Sequence, residues 1–118
     1  MAESNSLLPV WAVDLANLAE PPAAWGALLD GEERDRLERL RRAVDRVSYA
    51  AAHTLARLAL ARETGRPAAA LAFLRPTGER PRLDGDSIAF SLSHAEGLAA
   101  VAVCPWGPVG VDVEAAGR

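Results

Sequence analysis

The chain has 118 residues, half of them hydrophobic and a quarter charged, which fits one soluble globular domain and leaves little room for two. A net charge of −3 argues against a general nucleic-acid binder, which carries a basic surplus. The single cysteine, Cys104, excludes an intrachain disulfide framework and any multi-cysteine metal site, and reads as a small buried hydrophobe.

In chain order, residues 1–9 show no basic stretch followed by an apolar one, so no secretory signal is expected. Residues 10–15 (VWAVDL) are apolar and β-prone, a first strand. Pro21 and Pro22 end it and open a loop that contains Trp25. Asp30 followed three residues later by Glu33 resembles a capping box. Behind it Leu37, Leu40, Val44, Val47, Ala51, Leu55 and Leu58 recur at steps of three or four, the stripe of amphipathic helix. The pattern predicts two helices reaching about Glu63, with a break near 43–45 and a stop at Gly65 and Pro67.

The second half changes period. Residues 72–74, 88–93, 98–104 and 109–114 read as strands, with a turn at Pro76-Thr77-Gly78. Helices first and strands second predict an α+β domain, helices packed on a largely antiparallel sheet. The longest apolar run, 98–111, is interrupted by Pro105, Gly107, Pro108 and Gly110 and falls short of the ~20 residues that cross a bilayer. A cytoplasmic protein with neither membrane nor nucleic-acid partners is expected. Alanine supplies 25 of the residues against six aromatics, so the core should be thin and depend on close packing.

Three segments carry candidate chemistry. In Gly110-Val111-Asp112-Val113-Glu114, an extended chain points both carboxylates the same way, ~7 Å apart, with the valines behind them. Such hard oxygens suit Mg²⁺, which takes one or two carboxylates and completes its shell with water and phosphate. The exposed face of an edge strand has the same spacing. Phe90-Ser91-Leu92-Ser93-His94 ends a strand with a serine and a histidine suited to holding an anion; the alternative is an ordinary surface or core histidine. Gly78-Glu79-Arg80-Pro81-Arg82 is a glycine turn with a proline-held arginine, able to clamp a phosphate or simply to form a common loop. His53, within the apolar helix, reads as a satisfied core histidine, and the arginine-rich helices as a solvated face of ion pairs.

Taken in order, Phe90 to His94 and Gly110 to Glu114 resemble the paired motifs of the surfactin-synthetase type of 4′-phosphopantetheinyl transferase. Asp45-Arg46 leading into Ala51-Ala52-His53-Thr54-Leu55-Ala56-Arg57, and the loop from Gly78 to Pro81, add to the likeness, which runs from Trp11 onward. The resemblance implies one half of a two-fold pseudo-symmetric fold. It also implies Mg²⁺-dependent transfer of the phosphopantetheine arm of coenzyme A to a serine of an acyl or peptidyl carrier protein, releasing 3′,5′-ADP. Asp112 and Glu114 would then hold Mg²⁺ as catalytic residues, and Ser93 and His94 would contact the coenzyme phosphates. Arg80 and Pro81 would line the adenine end, and Arg36 would match a basic phosphate contact of the family's early helix. Arg46 would stand in for the basic residue that the family places where this chain has Ser48, and Glu79 is an extra residue in the glycine turn.

Family members of this type carry a tryptophan and lysine–glutamate motif in a second half, and residues 115–118 do not contain it. The resemblance therefore implies that residues 1–118 are a single domain, the amino-terminal half, which acts beside a second half and can self-associate through the face normally covered. The alternative is a half-domain that binds coenzyme A or a carrier protein without chemistry, or a purely structural partner of other helices.

Overall fold

Helix formation begins at a cap. Asp30 precedes α2 (Gly31–Arg39); its side chain accepts from the Glu33 N–H at 2.8 Å, and Glu33 Oε1 accepts from the Asp30 N–H at 2.9 Å. The expected capping box is therefore formed, with two otherwise orphaned donors satisfied. The computed structural model describes residues 10–15 and 17–114; the segment read for a signal, 1–9, and the tail, 115–118, lie outside the described residues. Ahead of α2 come β1 (Val10–Asp14) and a single turn, α1 (Ala23–Gly26), in the Trp25 loop.

The second long helix differs from expectation. α3 (Ala43–Thr64) is continuous for 22 residues, and the break falls at 40–42 rather than 43–45. Leu40 turns extended, and the carbonyls of Leu40 and Arg41 accept instead from the Arg46 guanidinium at 3.1 and 2.8 Å. That guanidinium also pairs with Glu20 at 2.7 Å, so one arginine fastens the corner to the segment before α1. The helix stops as predicted at Gly65, which adopts φ 74° and bonds back to Ala61. Burial is broader than a stripe, because α3 is covered on several sides; Leu58, expected on the apolar face, is instead 49 % exposed.

After a short 3-10 turn (Ala68–Ala70), β2 (Phe73–Leu74) pairs antiparallel with β3 (Arg82–Leu83). The main sheet is antiparallel with strand order β1-β5-β4, using β4 (Ala89–Ala95) and β5 (Leu98–Cys104). Ala95 pairs with Leu98, leaving Glu96-Gly97 as a two-residue turn with φ 47° and 86°. Both positive angles match the turn that follows strand twist, and only glycine adopts the second without strain. The Gly97 N–H donates to Ser48 Oγ at 2.6 Å, and that hydroxyl donates to the Val44 carbonyl, tying the hairpin to α3.

The core lies between α3 and the sheet. Ala56, Ala59 and Leu60 pack against Leu71, Leu83, Ile88, Phe90, Val101 and Val103, with Trp11 and Phe73 closing the edges. Farther along, Ala51 and Ala52 meet Ala99, and small side chains let helix and strand approach closely. The α+β class, with helices on an antiparallel sheet, is thus observed. Among the described residues no helix is long and apolar enough to cross a membrane.

One predicted strand is corrected. Residues 109–114 join no ladder; the N–H groups of Val111 and Val113 donate at 3.2 Å to the hydroxyls of Ser91 and Ser93. Phe90, Leu92 and His94 point toward α3, so the alternating serines lie on the other side of β4 and receive the passing chain there. Side-chain hydroxyls have replaced main-chain carbonyls as its partners.

Arg57 is the polar centre of this arrangement, 1 % exposed. Nε donates to Glu33 at 2.9 Å, Nη1 to the carbonyls of Ala68 and Leu71, and Nη2 to Asp30, while Nη2 also lies 2.8 Å from Glu33 as an ion pair. Truncating one partner of a buried pair strands the other charge. Arg57→Ala is therefore expected to destabilise the fold by about 3–5 kcal/mol, read as a lowered urea midpoint. A loss below 1 kcal/mol would show that Glu33 finds other compensation.

Candidate functional site

A cleft of about 900 Å³ runs along the open edge of β4, between α2 and the loop before β3. The capping box sets the phase of α2 so that Arg36 and Arg39 face the cleft, and Tyr49 and His53 of α3 form its floor. Strand β4 contributes Ser93 and His94, the Gly78 turn delivers Arg80 and Pro81, and the crossing segment brings Asp112. Six residues singled out from sequence therefore meet: Arg36, Arg80, Pro81, Ser93, His94 and Asp112.

Two others do not. Arg46 is committed to Glu20 and to the α2–α3 corner, away from the cleft. Glu114 is exposed and forms no part of the wall, although it alternates outward in step with Asp112 as the sequence suggested.

Asp112 is held by its neighbours. Ser93 Oγ donates to Asp112 Oδ1 at 3.0 Å while accepting from the Val113 N–H, so the two motifs are joined by one hydroxyl. Among the described residues no hydrogen bond engages the other oxygen, Oδ2, which leaves one hard donor for a cation that also takes water and phosphate. Among the described residues no cluster of three or more histidine, cysteine or acidic side chains forms a metal cage. Arg80 donates to the Val109 carbonyl, fastening the proline-held arginine to the segment that carries Asp112. Arg36 and Arg39 have no ion-pair or hydrogen-bond partner among the described residues and offer their charge to the cleft.

Sequence reasoning missed the floor. Glu33, buried, accepts from His53 Nδ1 at 2.9 Å; the Tyr49 ring stacks on His53 at 4.1 Å and meets His94 edge-on at 5.7 Å. Arg75, stacked with Arg57 against Phe73, reaches Asp30 at 3.1 Å and Glu32 at 2.7 Å. A signal was present: Tyr49, His53 and Arg57 recur every four residues, a polar row along one side of an otherwise apolar helix.

Charge in this row is fixed by its surroundings. Burial opposes ionisation of Glu33 and is the largest single influence, but hydrogen bonds from His53 and the Asp30 N–H, with the charge of Arg57, outweigh it. The Glu33 pKa is lowered to about 2. Burial, reinforced by the Glu33 charge, pushes the Tyr49 hydroxyl up to about 12. Crowding by protein atoms on the inner side of its ring, and then the nearby His53, hold His94 below the ordinary imidazole value although its outer edge opens to the cleft. Desolvation weakens the charged form of Arg75, but Asp30 and its acidic neighbours more than offset it, so its pKa rises.

No protein-family model matches the chain, and no curated protein is significantly similar to it.

Because Glu33 binds a proton more weakly when folded than its ordinary 4.5, its contribution to stability is fully present above about 4.5. It is lost as pH falls toward about 2. Urea midpoints measured at successive pH values should drop most steeply in that window. In Glu33→Gln, less stable throughout, this steep portion should flatten, whereas an unchanged slope would assign it to other carboxylates.

Proposed function

We propose that the chain binds coenzyme A with Mg²⁺ and transfers its phosphopantetheine arm to a serine of an acyl or peptidyl carrier protein, as transferases of the surfactin-synthetase type do. The observation that carries this reading is the Ser93–Asp112 hydrogen bond, which joins two motifs distant in sequence at one cleft that Arg36 and Arg39 also line.

In this reading the coenzyme is anchored by charge. Arg36, Ser93 and His94 meet its phosphates, and Arg80 with Pro81 borders the adenine end. Asp112 and Glu114 would hold Mg²⁺, of which only Asp112 lines the cleft, and the ion when bound would neutralise the diphosphate and make it a better electrophile. The serine oxygen of the carrier protein bonds to the phosphorus bearing the pantetheine arm. The bond from that phosphorus to the bridging oxygen breaks, and 3′,5′-ADP leaves with the electron pair. Positioning and charge neutralisation supply most of the rate in such transfers. A cytoplasmic setting, where coenzyme A and carrier proteins meet, accords with the reading.

Calorimetry with coenzyme A and Mg²⁺, followed by mass spectrometry of an apo-carrier protein, tests it. Binding should weaken at least tenfold in Asp112→Asn, and the carrier protein should gain the mass of one phosphopantetheine group. Heat without an adduct would favour a half-domain that only binds the coenzyme. A folded protein that gives no heat would overturn both.

A further inference from the structure

The cleft floor holds a hydrogen-bonded pair that the transfer reading leaves unused. Glu33 is an ionised carboxylate, so it only accepts, and the 2.9 Å contact requires the proton to sit on His53 Nδ1. The other ring nitrogen, Nε2, has no hydrogen-bond partner among the described residues. It is not among the buried orphaned polar atoms either, a set that contains Thr54 Oγ1 alone among the described residues. His53 is 18 % exposed in its side chain, and its exposure is toward the cleft. In the neutral ring, Nε2 therefore presents a lone pair to whatever enters.

We propose that His53, oriented by Glu33, is the base that takes the proton from a hydroxyl nucleophile in this cleft. The identity of that hydroxyl, the serine of a carrier protein, rests on the transferase reading above. As the serine oxygen bonds to phosphorus and the bridging oxygen departs with 3′,5′-ADP, the serine proton passes to Nε2. The imidazolium so formed faces the Glu33 carboxylate and later returns its proton to water.

The surroundings select His53 over its neighbours. His94 also faces the cleft, but no hydrogen bond from the described residues fixes its tautomer, and it meets Tyr49 edge-on. Tyr49 is held protonated far above neutrality and Asp112 is engaged by Ser93. Around His53 stand Glu33 and Arg36 from α2, Tyr49 and Arg57 from its own helix, Arg75 beyond β2, and His94 from β4. Arg57 and Arg75 keep Glu33 from taking the proton itself, so the carboxylate orients and the imidazole exchanges. Stacking of Tyr49 restrains the ring plane. Together these are the parts of an oriented base: a fixed tautomer, a fixed ring and an open nitrogen.

The test combines nitrogen-15 NMR of the full chain with transfer rates as a function of pH. Neutral His53 should show a protonated Nδ1 and a bare Nε2, and the wild-type rate should rise with the same midpoint as the NMR titration of that ring. His53→Asn should lower kcat about 10²–10⁴-fold with less than a threefold change in KM for coenzyme A, lose that rising limb, and recover in part with added imidazole. His53→Gln repeats the measurement should the asparagine variant fail to fold. The comparison of rate and NMR midpoints in the wild type needs no variant at all. A protonated Nε2 in the neutral ring, or a His53→Asn rate within threefold of wild type, overturns the base role alone. A wild-type chain that binds coenzyme A but transfers nothing overturns the transferase reading, and the base role falls with it.

Discussion

The contact between Arg57 and Glu33 is the one on which the remaining architecture depends. Both side chains are almost fully withdrawn from water, a placement that costs several kcal/mol per ion unless every polar atom finds a partner. Here that condition is met: every guanidinium nitrogen of Arg57 donates a hydrogen bond, and both Glu33 oxygens are occupied. The partners come from α2, α3 and the turn leading into β2, so one cluster sets the distance between elements with few apolar contacts of their own. An alanine-rich helix buries little area per residue. A fully satisfied ion cluster adds what such a core lacks, a single permitted register between α2 and α3.

The cleft follows from that register together with a second substitution of partners, at the serines of β4. An edge strand ordinarily offers its main-chain groups to a neighbour. Here the chain at 109–114 is caught instead by the hydroxyls of Ser91 and Ser93, so β4 keeps an open edge. Direct pairing in the plane of the sheet would have filled the space that Arg36, His94 and Asp112 now border. The serines thus hold the acidic segment in place while leaving the groove beside it clear.

Much of this was legible in the sequence, and the failures have specific physical sources. The capping box at Asp30 and Glu33 and the stop at Gly65 are local, and each contains its own hydrogen-bond partners. The break at 40–42 was misplaced because Leu37, Leu40 and Val44 keep helical spacing across it; what ends α2 is Arg46, whose reach to two carbonyls leaves no trace in apolar periodicity. The alternation in 109–114 correctly reported an extended chain with its acids outward. Side-chain period says nothing about what the N–H groups bond, and that is where a strand was wrongly expected. His53 reads as a core histidine because Ala51, Ala52 and Leu55 beside it dominate the local pattern. Its real company, Tyr49 and Arg57, stands one turn away on either side.

Glu33 links the stability of this fold to the chemistry of its cleft. One carboxylate caps α2, neutralises Arg57 and fixes the tautomer of His53. Its replacement must disturb all three, so lost function in a Glu33 variant would say little about which role mattered. His53 is different: it receives only one of those bonds and lies on the cleft wall rather than within the ion cluster. Removing its ring leaves Glu33 still held by Arg57, Arg75 and the Asp30 N–H. The asymmetry leaves most of the structural load on the carboxylate and only one of its hydrogen bonds on His53. For the same reason, variation at His53 disturbs fewer of the contacts that hold α2 on α3 than variation at Glu33 does.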